Sequence, residues 1–189
     1  MKRTAMLGMA LLAALAIGGA DAISVSASEH EFIANKAGKV TSKAANTQVF
    51  KTGAGKVECT AATGEGEVKE GKQTTNKEVI NYSSCTGFSG KVTMSAVDFE
   101  FNANGSAKIE KNVLVMMEGA SCHVTIPAQT VESVSYGDEP GGKVKATASV
   151  SDIHSYGSGG ACGTTEESSG VYTGSILAEP GSGNTLEWK

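Results

Sequence analysis

The stretch V-D-F-E-F-N-A-N-G-S-A-K-I-E, residues 97–110, decides the fold class, because residue types alone set the register of a β-hairpin here. A two-residue turn at Asn-Gly would put a phenylalanine opposite a lysine and a glutamate opposite an isoleucine. A three-residue loop ending at a left-handed Gly105 instead sets Phe99 opposite Ile109 and Glu100 opposite Lys108. A one-residue slip moves every side chain to the other face, so the self-consistent register is predicted.

The rest of the chain repeats this β character. It holds 24 glycines and only three prolines, and no long segment has apolar residues at helical spacing. Short runs rich in valine, threonine and serine alternate with turn residues, which predicts an all-β, antiparallel sandwich or barrel-like domain of about ten or more short strands. The predicted strands are Gln48–Lys51, Lys56–Ala61, Glu78–Tyr82, Lys91–Met94, Val97–Asn102, Val113–Met117, Cys122–Ile126, Val131–Tyr136, Lys143–Ser151, Val171–Ala178 and Thr185–Trp188.

Residues 1–22 are predicted to be a signal peptide. Lys2 and Arg3 precede an apolar run that is too short to span a bilayer, and Ala20-Asp21-Ala22 is an A-x-A cleavage site. Residues 23–189 are then expected to form a single β domain that is secreted or held at the cell surface, with no membrane span after signal removal.

The charge balance argues against nucleic acid as a partner. Without Lys2, Arg3 and Asp21, the 16 basic and 20 acidic residues become 14 and 19, a net charge of −5. Phosphate binding requires a concentrated positive face. The lysines at 36, 39, 43, 51 and 56 occur in a stretch without acids, and we interpret them as a solvated surface.

Two pairs of polar residues resemble catalytic groups. Asp98 and Glu100 share a strand face, roughly 7 Å apart by strand rise, but Lys108 opposite Glu100 favours a solvated, ion-paired face. Asp152 and His154 lie in a serine-rich segment, yet no G-x-S-x-G motif accompanies them. No catalytic residue is therefore predicted.

Metal and cofactor sites are not predicted either. His30, His123 and His154 are scattered, and the cysteines are spaced by 26, 37 and 40 residues, unlike the close pairs of zinc sites. Glycine-rich segments such as 157–160 precede no helix that could bind phosphate. The sequence indicates no cofactor.

Aromatic platforms for a glycan are few. Trp188 is the only tryptophan, and its alternation with Glu187 and Leu186 predicts a last strand that packs the indole against the core. Tyr156, placed in a glycine-rich loop, is the other candidate ligand contact.

The four cysteines of an exported chain are expected to be oxidised, with three connectivities. Cys59 and Cys122 share strand faces with valines and point inward, whereas Cys85 and Cys162 are assigned to turns. Pairing one strand cysteine with one turn cysteine, through the shorter loops, predicts Cys59–Cys85 and Cys122–Cys162. His123 then faces solvent beside a cysteine that is not reactive.

Four blocks carry a resemblance: VFKTGAGKVECTAA, NYSSCTGF, CHVTIPAQTVESVSY, and GGACG followed by SGVYTGS. Together they resemble uncharacterised secreted, disulfide-containing β proteins of soil actinobacteria. That resemblance implies no activity and no catalytic residues. Such relatives tend to have a further cysteine pair where this chain has Val97 and the region around Glu110.

The function expected from the sequence is that of an exported, non-enzymatic β domain, structural or weakly adhesive at or outside the cell surface. The alternative is an extracellular binding module for a glycan or a protein, with cell-wall polysaccharide or another surface protein as partner. A secreted hydrolase ranks third.

Overall fold

The computed structural model describes residues 30–53, 55–87, 90–119, 121–162 and 165–189, which are nearly all β. The predicted signal peptide, residues 1–22, lies outside the described residues. The strands pair antiparallel. They are β1 (Phe32–Ala34), β2 (Gly38–Ala44), β3 (Gln48–Thr52), β4 (Gly55–Val68), β5 (Gly71–Gln73), β6 (Thr75–Gly87), β7 (Gly90–Met94), β8 (Val97–Asn102), β9 (Ala107–Ile109), β10 (Val113–Met117), β11 (Cys122–Ile126), β12 (Gln129–Val131), β13 (Val134–Glu139), β14 (Lys143–Ser158), β15 (Thr165–Pro180) and β16 (Leu186–Trp188).

Eight strands form a closed ring, in the order β3-β4-β6-β7-β10-β11-β14-β15 and back to β3. The interior of this ring is apolar, because alternate residues such as Val57, Val92, Val115 and Val124 point inward and are buried. Of the two predicted architectures, the closed ring agrees with the barrel-like one and not with the sandwich.

The other ends of the long strands β4, β6, β14 and β15 form an open arc, in the order β12-β9-β8-β6-β4-β2-β15-β14-β13. The Val134 N–H of β13, at one end of the arc, donates to the Gly105 carbonyl in the β8–β9 loop near the other end. Four long strands therefore belong to both the ring and the arc.

A small sheet in the order β16-β1-β5 lies beside the arc. Its Phe32 packs edge-on against Tyr136 of β13 with ring centroids 5.0 Å apart, and Leu186 is 1% exposed. This cap sheet joins the start of the described chain to its last residues, so it depends on contacts between distant parts of the sequence.

The predicted hairpin is confirmed. Phe99 lies opposite Ile109 and Glu100 opposite Lys108, and Gly105 has a φ of 90°. The N–H of Gly105 donates to the carbonyl of Asn102, which closes the three-residue loop.

Several predicted strands are too short. β4 continues through Thr-Gly-Glu-Gly (63–66), beyond the predicted strand end at Ala61. A Cβ on Gly64 would lie 2.3 Å from Cδ1 of Ile80, so glycine here makes room for a neighbouring side chain and does not form a turn. The assignment of Tyr156 to a loop is also wrong, because β14 extends to Ser158.

Candidate functional site

Both predicted disulfides are confirmed. Cys59 and Cys85 lie directly opposite each other on β4 and β6, with Cα atoms 3.9 Å apart. Cys122 on β11 is bonded to Cys162, which ends a 3₁₀ turn after β14. The placement of Cys85 in a turn was wrong, since it lies within a 13-residue strand.

His123 points away from its cysteine neighbour. Cys122 is fully buried, while His123 is exposed on the outer face of the ring between Met116 of β10 and Ser158 of β14. The alternation of a strand separates the two side chains, and oxidation removes the thiol. The Cys-His pair is therefore not a nucleophile and its base.

Asp98 and Glu100 are both ion-paired. Glu100 lies opposite Lys108, but its carboxylate binds the ammonium of Lys77 on the neighbouring strand β6 at 2.9 Å. That hydrogen bond lowers the pKa of Glu100. Asp98 is paired with Lys111. The face is ion-paired, but the Glu100 carboxylate binds Lys77 and not the expected Lys108.

Asp152 and His154 lie in an irregular part of β14, where the pairing with β15 shifts register. Asp152 has a φ of 60° and accepts a 2.7 Å hydrogen bond from the Ser151 hydroxyl. The backbone of His154 is bound through both its N–H and its carbonyl by the side-chain amide of Gln129, at 3.0 Å each. Among the described residues, no hydrogen bond joins Asp152 to the His154 ring.

The two candidate ligand contacts lie in different surroundings. The Trp188 indole stacks on His30 with ring centroids 4.2 Å apart, and its N–H donates to the Ala103 carbonyl at 3.3 Å. One face of this ring is therefore covered. Tyr156 is 44% exposed on the outer face of β14, opposite Thr125 and Glu166.

The arc contains a buried carboxyl group. Glu78 is 4% exposed, accepts hydrogen bonds from the Ser42 hydroxyl at 2.5 Å and the Asn76 amide at 2.8 Å, and lies beside Gly64 and Gly66 of β4. Burial raises the pKa of this carboxyl, against the smaller opposing effect of the two hydrogen bonds. Oδ1 of Asn76 is buried without a partner among the described residues.

This buried group is not among the predicted site residues, although the sequence contains a signal for it. In N-K-E-V-I-N-Y, residues 76–82, Glu78 shares its strand face with Ile80 and Tyr82. A glutamate on a face with two large apolar residues indicates a buried acid.

A second polar cluster fills the interior where ring and arc meet. Gln48 is fully buried; its amide donates to the Asn46 and Ser175 carbonyls, at 2.6 and 3.0 Å, and accepts a hydrogen bond from the Tyr172 hydroxyl. Burial raises the pKa of Tyr172 to about 12. These groups bind one another and leave no unsatisfied atom that a ligand would complete.

The interior leaves little room for a ligand. A cavity of about 40 Å³ lies among apolar side chains that include Phe99, Phe101 and Tyr172. Small-molecule sites measure roughly 300 to 1,000 Å³. This cavity is therefore too small for such a ligand.

Two surface recesses among the described residues have the required size. The smaller, of about 400 Å³, is lined by Lys56, Glu58, Thr86, Gly87 and Gly90. The larger has a volume of about 950 Å³ and lies between the cap sheet and the strands β2, β4 and β6. We call it the end groove; it is lined by residues 31, 37–39, 67–69, 72–75 and 77.

A row of alternating charges crosses the wall of the end groove and continues beyond it. Lys39, Glu67, Lys77, Glu100 and Lys108 lie directly opposite one another on five neighbouring strands. Within the row, Lys77 and Glu100 form an ion pair at 2.9 Å. The row places Lys39 and Lys77 in the groove.

Comparison with known proteins yields no assignment: no family model, curated protein or solved structure matches the chain. The resemblance to secreted actinobacterial β proteins stays a prediction. Within the described residues, no helix is long and apolar enough to cross a membrane, and no group of three or more His, Cys, Asp or Glu residues could hold a metal ion.

Proposed function

We propose that this chain is an exported, non-enzymatic β module that adheres to cell-wall polymer through the end groove. The observation that carries the proposal is a surface recess of about 950 Å³, set on a framework whose interior is filled by its own side chains. Such a framework provides a rigid support for a surface contact.

Export is supported by the two disulfides, since such bonds form and persist in oxidising compartments. A non-enzymatic role is supported by the positions of the histidines and of the two acidic residues of β8. His123 and His154 point outward, and the acidic pair of β8 is neutralised by lysines.

The structural role and the binding role differ in what they require of the groove. An adhesive or binding module needs the groove open, whereas a purely structural domain does not. The size of the groove favours adhesion, with the glycan alternative preferred to a protein partner because the recess is lined by polar side chains from several separate segments.

The test is retention of the exported protein, residues 23–189, on purified cell-wall polysaccharide. Thr74→Trp places an indole in the groove and should abolish retention, while Thr63→Trp, at an exposed position of β4 outside the groove, should leave it unchanged. Equal retention of both variants would contradict a role for the groove, and no retention of the unaltered protein would contradict adhesion.

A further inference from the structure

We propose that the end groove selects an anionic, hydroxyl-bearing cell-wall polymer, one whose repeating units carry carboxylates or phosphodiesters. The inference rests on the proposed adhesive function and names the ligand class of the same site. It is carried by the charges and by the side-chain types that line the groove.

The lining contains more cations than anions. Four lysines, Lys39, Lys69, Lys72 and Lys77, face two acids, Glu31 and Glu67. The whole chain has a net charge of −4, so the excess of lysines in the lining distinguishes the groove from the surface as a whole. An anionic polymer would be attracted to the groove by those lysines that have no acidic partner.

Not all four ammonium groups are equally available. Lys72 is paired with Glu31 at 2.6 Å, and Lys77 binds Glu110 at 2.6 Å and Glu100 at 2.9 Å. The hydrogen bonds to these two acids raise the pKa of Lys77 to about 12.

Lys39 and Lys69 have no ion pair within the described part of the chain, and both are exposed. Lys39 extends from β2 and Lys69 from the turn after β4, so the two free cations belong to different elements. They are the groups that a bound anion can engage without breaking an existing pair.

The other lining groups fit a hydroxyl-bearing polymer. Thr74 and Thr75 are exposed and present hydroxyl groups at the groove. None of the described residues that line the groove is aromatic, so stacking on a sugar ring, the usual basis for binding a neutral glycan, has no support here. Recognition then depends on charge.

The experiment measures binding of three polymers at low and at physiological ionic strength: polygalacturonate, poly(glycerol phosphate) and neutral dextran. We expect binding to at least one anionic polymer, weakened by salt, and none to dextran. Comparison of the first two polymers shows whether the groove binds carboxylates or phosphodiesters.

Two variants test the groove in opposite directions. Lys39→Gln with Lys69→Gln should weaken binding about fivefold or more, since two exposed charge contacts of ~0.5 kcal/mol each are lost. Glu67→Gln should tighten it, because it removes a carboxylate from the same wall. Lys51→Gln with Lys56→Gln, on the β3–β4 hairpin, removes the same net charge away from the groove and should change binding less than twofold.

Each other outcome has a distinct meaning. Equal binding of dextran and the anionic polymers would overturn the charge selection but leave the adhesive function standing. Equal weakening by the two double variants would overturn the groove as the site. Failure to bind either anionic polymer would overturn the charge selection, while retention on cell-wall polysaccharide decides the adhesive function separately.

Discussion

Glu78 is the residue whose chemistry departs most from that of a surface acid. Its carboxyl is buried in the arc, and burial raises its pKa above the unfolded value of about 4.3. The folded state therefore holds the proton over a wider pH range than the unfolded state. The stability this provides is fully present below the unfolded pKa and is lost as the pH rises through the folded pKa.

Glu78→Gln is expected to remove this pH dependence. In the unaltered protein the free energy of unfolding should fall with rising pH, by at most ~1.4 kcal/mol per pH unit for one proton. Urea unfolding between pH 4 and pH 8 measures the slope, with Glu65→Gln on the exposed face of β4 as the control. Identical slopes for the Glu78 variant and the unaltered protein would show that the carboxyl titrates as a surface group.

His123 and His154 are expected to matter little as side chains. Both are exposed, and substitutions at such positions stay within ~0.5 kcal/mol. His123→Ala and His154→Ala should each leave the free energy of unfolding and polysaccharide retention unchanged within that margin. A loss of several kcal/mol, or of retention, in either variant would reopen a functional role for the histidine.

At the scale of strands, the side chain of Gln129 makes the hydrogen bonds that a neighbouring strand would make at the irregular part of β14. Its amide donates to the carbonyl of His154 and accepts from its N–H, as a neighbouring peptide group would. Gln129→Ala should cost about 1–3 kcal/mol, the sum of two hydrogen bonds at roughly 0.5–1.5 kcal/mol each. Thr130→Ala, an exposed position on the same strand, is the matched control.

Hydrogen exchange at the His154 amide gives a second readout for Gln129. The amide should lose protection in Gln129→Ala while the amides of β11 keep theirs. Retained protection at His154 would mean that the irregular segment does not depend on the glutamine.

The elements that the sequence predicted well are those with strict alternation and a turn residue of restricted conformation. The β8–β9 hairpin is such a case, because Gly105 and the two phenylalanines leave one consistent register. The predicted strand Lys56–Ala61 stops short of Gly64 and Gly66, which belong to β4. Their actual role, making room for Ile80 and Glu78 of the next strand, depends on a pairing that is not local.

The same limit applies to the candidate site. The disulfide partners could be chosen from loop lengths and strand faces, but the end groove could not be predicted. Its lining comes from β2 and the residue before it, from the stretch between the end of β4 and the start of β6, and from the chain before β1. β2, β4 and β6 meet through their own pairing. The chain before β1 joins them because β1 pairs with β5, from which it is separated by three strands along the chain.

At the scale of the whole molecule, both disulfides lie in the closed ring and its adjoining turn. Cys59–Cys85 joins β4 to β6 within the ring, and Cys122–Cys162 ties β11 to the turn between β14 and β15. The described part of the arc contains neither bridge. The ring therefore has covalent links in addition to its apolar interior, while the described part of the arc has packing around side chains such as Ile80, Val97 and Ile109.

Reduction should therefore loosen the ring before the arc. On the chain-entropy model, loops with sequence separations of 26 and 40 correspond to roughly 3.5 to 4 kcal/mol for each bridge. Hydrogen exchange of the reduced protein should show early opening of β7, β10 and β11, which belong only to the ring, and later opening of β8, β9 and β13, which belong only to the arc. Cys122→Ala with Cys162→Ala should open β11 first, because Cys59–Cys85 still links β4 to β6. Simultaneous loss of protection in all six strands would instead mean that β4, β6, β14 and β15 couple ring and arc into one cooperative unit.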